Sequence, residues 1–134
     1  MRLKIDIGLA FLLIGCGTNQ HSVYLNLNFE DSETGMAVSD VLINLTAKSP
    51  GFPLDKIRLI GDFCSDENGE FEYEFQTSAN QICMLFHKEI EGTDYLYDLD
   101  WKKNPIECFK LNDKNEKIDL KIFLKKRGRF KPVP

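Results

Sequence analysis

Four cysteines and two histidines are the side chains of this 134-residue sequence best suited to covalent or nucleophilic chemistry. His87 beside Cys83 or a carboxylate would supply a base and a nucleophile, provided the two groups come within hydrogen-bond reach. A single histidine near a strand end is more often structural, so no catalytic residue is expected. Cys64, Cys83 and Cys108 lack the paired C-x-x-C spacing of zinc and redox sites. Asp66-Glu67-Asn68-Gly69 has the composition of part of a calcium loop, but without spaced ligands and a closing glutamate it reads as a hairpin turn. No metal and no cofactor are expected. Glu89, Glu91, Asp94, Asp98 and Asp100 form an acidic group that reads as a solvated face, with a cation or a basic partner as the sharper alternative. Tyr95, Tyr97 and Trp101 are the candidate ligand contacts, because their rings join apolar area to a polar edge. Core packing explains alternating tyrosines equally well, and a platform requires an exposed pair on one face.

Cys16 calls for different chemistry. Arg2 and Lys4 form a short cationic head, followed by an apolar run from Ile7 to Ile14. That run fits the ~7–15 residues of an export signal and is too short to span a bilayer as a permanent helix. Leu13-Ile14-Gly15-Cys16 resembles a bacterial lipobox. The resemblance implies that the Cys16 thiol is alkylated by a diacylglyceryl group, that residues 1–15 are removed, and that the freed amine is acylated. Asp6, costly inside an apolar segment, sits at the head-group edge of the signal. The alternative is a buried N-terminal helix with a core cysteine, but Gly-Thr-Asn-Gln-His-Ser at 17–22 has the composition of a polar tether. Each buried methylene contributes ~0.8 kcal/mol, so two or more chains hold a protein on a membrane without crossing it. Gly17 stands where an aspartate would favour inner-membrane retention, and no acidic cluster follows Cys16. The expectation is therefore the outer membrane, on its periplasmic face.

Removing residues 1–15 takes Arg2, Lys4 and Asp6 from 17 basic and 21 acidic residues, leaving a net charge of −5. Nucleic acid is not an expected partner. The basic residues gather in Lys125-Lys126-Arg127-Gly128-Arg129-Phe130-Lys131, read as a solvated tail or, alternatively, as a contact for anionic lipid or lipopolysaccharide. Of the three cysteines other than Cys16, at most one pair can join as a disulfide; three buried thiols are the equal alternative.

From residue 23 the hydrophobic period is two. Val23, Leu25, Leu27 and Phe29 alternate with polar residues or tyrosine; Val41, Ile43 and Leu45 do so with Leu42, Asn44 and Thr46; Phe71, Tyr73 and Phe75 with glutamates; and Ile118, Leu120, Ile122 and Leu124 with Asp119, Lys121 and Phe123. Such alternation predicts strands with one face on a core. Further strands are expected at 56–63, 81–87, 95–99 and 107–110, with a proline-containing loop at 48–55. The predicted organisation is a signal peptide at 1–15, a lipidated cysteine and tether at 16–22, an all-β domain at 23–126 and a basic tail at 127–134.

Two stretches extend this reading. Asp31-x-x-Thr34-Gly35-x-x-Val38-x-x-Val41-x-Ile43-x-Leu45 and Ser65-Asp66-x-Asn68-Gly69-x-Phe71-x-Tyr73 resemble the signature of carboxypeptidase regulatory-like domains, a transthyretin-like branch of the immunoglobulin-like sandwiches. Ala37 and Asp40 depart from it, standing where proline and glycine are common, and the 48–55 loop is long. The resemblance implies a prealbumin-like β-sandwich of about seven strands, used as a spacer or binding module, and no single activity. The hydroxyisourate hydrolases of the wider group need several histidines and a C-terminal Tyr-Arg-Gly-Ser, and this chain has neither. The expected function is a membrane-anchored envelope lipoprotein acting as a non-catalytic binding or spacer module for a protein or glycan; a small envelope hydrolase with a dispersed site is the alternative.

Overall fold

Residues 20–104 and 107–128 are described by a computed structural model. The expected signal peptide and Cys16, and residues 129–134 of the expected tail, lie outside the described residues. Successive Cβ atoms of an extended chain point to opposite faces, so alternating sequences settle as strands with an apolar side. Eight form: β1 (His21–Asp31), β2 (Leu42–Ser49), β3 (Lys56–Cys64), β4 (Glu70–Thr77), β5 (Gln81–Glu89), β6 (Tyr95–Leu99), β7 (Cys108–Lys110) and β8 (Asn115–Gly128). The expectation of an all-β chain is met. The strands follow the order β3-β2-β5-β6-β8-β1-β4, with β7 on β5. Only β1 and β8 run parallel.

The order folds back on itself. β5 and β6 share two pairs, Lys88 with Tyr97 and Glu89 with Leu96, so this junction acts as a corner between two halves. On one half Val23, Leu25, Leu27 and Phe29 of β1 and Ile122 and Leu124 of β8 point inward. They meet Ile43 and Leu45 of β2 and Ile82, Met84 and Phe86 of β5 in one core. Phe29 and Phe86 join the halves edge to face, with centroids 5.2 Å apart. Burying the four β1 side chains contributes at most ~6–12 kcal/mol, at ~1.5–3 each. At the opposite side β3 and β4 approach, and Phe63 packs against Phe71 at 5.2 Å and Tyr73 at 4.6 Å. The sheet thereby nearly closes.

β3 does not keep one phase. Leu45 pairs with Gly61 and Thr46 with Leu59, so Ile60 is the extra residue of a bulge. Phe63 therefore points into the core while Ile57 and Leu59, of the same sequence parity, point out. A Cβ on Gly61 would stand 2.6 Å from the Phe63 ring, which explains the glycine there.

Several boundaries differ from the sequence reading. β1 starts at His21, inside the expected tether, because Ser22 N–H donates to the Lys114 carbonyl and His21 Nδ1 donates to that of Asp113 at 2.6 Å. β2 continues through Ser49, taking two residues from the expected loop, and β8 runs through Arg127 and Gly128 of the expected tail. Cys83 and Cys108 are directly paired on β5 and β7, with Cα atoms 4.1 Å apart, and form a disulfide. Cys64 is an exposed free thiol, which corrects the alternative of three buried thiols.

Candidate functional site

The two halves show different outer faces to water. On β4-β1-β8 the outward residues are Glu70, Glu72 and Glu74, then Tyr24, Asn26 and Asn28, then Lys117, Asp119 and Lys121, as the pairings require. They engage one another. Tyr24 hydroxyl donates to Glu72 at 2.8 Å, Lys117 lies 5.9 Å from the Tyr24 ring centroid, and Lys121 pairs with Glu30 at 3.4 Å. Glu72 also pushes the Tyr24 hydroxyl above its ordinary pKa, chiefly through that hydrogen bond. Polar residues already partnered in this way have little to gain from a further protein surface.

The outer face of β3-β2-β5 is apolar at its centre. Leu42, Leu59 and Leu85 are each more than half exposed, with Ile57 beside them at the β3 margin. Leu42 pairs with Cys64 on one side and His87 on the other; Asn44 pairs with Asp62 and Leu85. Asn44 Nδ2 donates to Asp62 at 2.8 Å among the leucines, and Thr46 Oγ1 donates to the Cys83 carbonyl at 3.4 Å. A groove of about 250 Å3 runs over Leu42, Asn44, Leu85 and His87, and beyond Leu42 opens a cleft of about 630 Å3 edged by Asp40, Lys88 and Glu91. No protein-family model matches this sequence, and neither a curated protein nor a solved structure does.

The three aromatic candidates separate. Tyr95 and Trp101 are 51% and 54% exposed, but Tyr97 packs against the core. Tyr95 opens β6, Leu99 ends it ~13 Å further on at ~3.3 Å per residue, and Trp101 lies in the turn beyond. A single stacking platform would need the rings side by side. Tyr97 instead donates its hydroxyl to Asp31 Oδ2 at 2.7 Å. Burial and this bond push the tyrosine pKa up to about 12. Burial by itself would raise the Asp31 carboxyl; the Tyr97 bond and the N–H groups of Glu33 and Thr34, donating to Oδ1 at 2.8 and 3.1 Å, outweigh it and hold the pKa below the ordinary value. Asp31 thus organises the β1–β2 turn.

The remaining candidates are equally resolved by position. His87 Nε2 lies 3.5 Å from Glu89, and Cys64 stands two strand spacings away across Leu42, roughly 9–10 Å, beyond hydrogen-bond reach. Cys83 is committed to its disulfide. Asp66 Oδ1 accepts the N–H groups of Asn68 and Glu70, a side-chain turn of hairpin type. Among the described residues no three potential ligands converge on a metal position. Within the acidic group, Asp98 takes the Arg127 guanidinium at 2.7 Å and Asp100 accepts the Lys102 N–H. The basic tail therefore begins with one cation already bound to a carboxylate. The exposed leucines, the residues the sequence reading passed over, carry a partial signal: Leu42 and Leu85 occupy the outward phase of their strands.

Proposed function

We propose that the chain is an exported lipoprotein, anchored through acylated Cys16, whose β-domain is a non-catalytic module holding another envelope protein on the outer face of β3-β2-β5. The observation that carries the reading is the uncovered Leu42 and Leu85 along one groove, with exposed Leu59 on the same face, set against the hydrogen-bonded and ion-paired polar residues on the other half. Exposed apolar surface rimmed by polar groups marks a contact for another protein. Leucines do not stack on sugar rings as aromatics do, and Tyr95 and Trp101 are held apart, which favours a protein over a glycan.

The likeness to carboxypeptidase regulatory-like domains of prealbumin type is part of the proposal, and the two motif stretches support it by meeting in space. Val41 N–H donates to Ser65 Oγ at 2.9 Å and Ser65 N–H to the Val41 carbonyl at 3.0 Å. Asp40, where glycine is common in that family, holds φ at 54°, the left-handed region that glycine favours. Gly69 reaches φ 75° beneath Phe29 and Val38, where a Cβ would stand 2.9 Å from the Phe29 carbonyl.

The test is site-specific photocrosslinking in intact cells with the probe at position 42 or 85, and at 26 or 72 as the opposite face, alongside the intact mass of the membrane-extracted protein. A discrete adduct from 42 and 85 alone, on a protein carrying acyl groups at Cys16, is expected. Adducts from both faces alike, or none, would remove the module reading; an unmodified N-terminus would remove the anchor.

A further inference from the structure

The two ends of the sheet differ in charge and in what their loops expose. At one end lie the start of β1, the β2–β3 loop, the β4–β5 turn and the start of β8. His21 pairs with Thr77, and Thr77 shares a cleft with Ser49, Lys56 and Arg58, so these segments belong to one surface. The chain enters here. Cys16 is five residues before His21, and at no more than ~3.6 Å per residue its acylated atoms stay within roughly 18 Å of the strand.

On that surface the β2–β3 loop shows Phe52, 98% exposed, and Leu54, 79% exposed, with Ile57 behind them. Large apolar side chains at a loop tip are unfavourable in water unless something covers them. Around them stand Lys48, Lys56 and Arg58, and the same end carries Lys110, Lys114 and Lys117. Of its carboxylates, Asp55 is matched to Lys48 at 3.7 Å and Glu116 accepts two backbone N–H groups, while Asp113 beside His21 and Glu74 beside Lys117 lie on the β1–β8 side, away from the Phe52 loop. Neither Lys56 nor Arg58 pairs with a carboxylate among the described residues. With the hydroxyl-bearing Ser49, Thr77 and Ser78 they line a cleft of about 240 Å3 beside the loop. The loops of the far end carry Asp40, Asp66, Glu67, Glu91 and Asp94, and its cations, Lys125, Lys126 and Arg127, lie on the last residues of β8 instead of beside an exposed apolar loop.

We propose that this end docks on an anionic phospholipid surface, with Phe52 and Leu54 in the head-group and acyl boundary and a lipid phosphate held in the cleft by Lys56 and Arg58. Apolar insertion flanked by cations is the general chemistry of interfacial binding, and anionic lipids concentrate basic residues at their surface. The inference rests on acylation of Cys16, since the short tether decides which end meets the bilayer. The sheet then stands on the membrane with its leucine face free at the side. Arg127, at the far end of β8, points away from the bilayer, so the basic tail starts on the side remote from the anchor.

The sequence has one tryptophan, Trp101, at the far end, which gives the test an internal control. The acylated full chain is reconstituted into phosphatidylglycerol vesicles carrying brominated acyl chains, once as the natural protein and once as Phe52→Trp in a Trp101→Phe background. Flotation with the vesicles, a blue-shifted and quenched emission from position 52, and unquenched Trp101 are expected. Phosphatidylcholine vesicles, or Lys56→Glu with Arg58→Glu, should leave the protein floating and abolish the quenching. Flotation with position 52 unquenched, or with Trp101 quenched to the same extent, overturns the docking and leaves the anchor standing. Failure to float overturns the anchor and the docking with it, and quenching that survives charge reversal overturns the role of Lys56 and Arg58.

Discussion

The outer face of β4-β1-β8 and the outer face of β3-β2-β5 rest on inner faces of the same kind and differ in what they present to water. On the first, glutamates, asparagines and lysines interlock strand by strand. On the second, leucines stand open between a few local polar bonds from Asn44 and Thr46. Inner composition is dictated by the shared core and says little about role, whereas an outward position is free to vary. Where outward residues are apolar and uncovered, the core does not account for them, and the contact proposed above does.

This contrast can be broken most forcefully from within. Leu25→Ala and Leu45→Ala, both at fully buried positions and one from each half, should each cost about 2–5 kcal/mol by denaturant unfolding. A small loss at Leu45 alone would mean that the second half is not a true partner in the core. Next comes the covalent tie found only in the second half: Cys83→Ala with Cys108→Ala should lower stability by about 3 kcal/mol for a closed loop of 25 residues. Equal stability of oxidised and double-alanine protein would show that β7 needs no staple.

Smaller, and confined to the first half, is Tyr97→Phe, expected to cost about 1 kcal/mol and to change the pH profile. Because the folded Tyr97 pKa lies near 12 against an ordinary 10, its contribution is complete below pH 10 and disappears as the pH rises through 12. Asp31 works in the opposite sense: its pKa is depressed, so its contribution is present above the ordinary 3.8 and is lost as the pH falls through the folded value. The Phe variant should lack the alkaline loss and show a weaker acid one; identical profiles for the two proteins would rule out the coupling. Smallest of all, Leu85→Ser should shift stability by no more than about 0.5 kcal/mol while removing the crosslink from position 42. A loss of several kcal/mol there would make Leu85 a core residue and erase the contrast between the faces.

How much of this was legible in the sequence varies strand by strand. β1, β4 and β8 announce themselves because one face is apolar and the other is largely polar or charged. β3 does not, since the bulge at Ile60 sends Ile57 and Leu59 outward and Phe63 inward although all three share a parity. The Cys83–Cys108 bond depends on the register of β5 against β7, which no spacing along the chain encodes. Tyr95, Tyr97 and Trp101 could be named as aromatic candidates, but their separation follows from where β6 ends. The loop at Phe52 is plain from Pro50, Gly51 and Pro53; that it shares an end with His21 is a property of topology.

The parallel pairing of β1 with β8 has a consequence for how the molecule comes into being. β1 lies between β4 and β8, so it waits for a strand made more than eighty residues later before its second edge is satisfied. Contacts of such long separation are slow to form. The second edge of β1 stays unpaired until β8 has been made, exposed for that interval to any chaperone that reads unpaired edges.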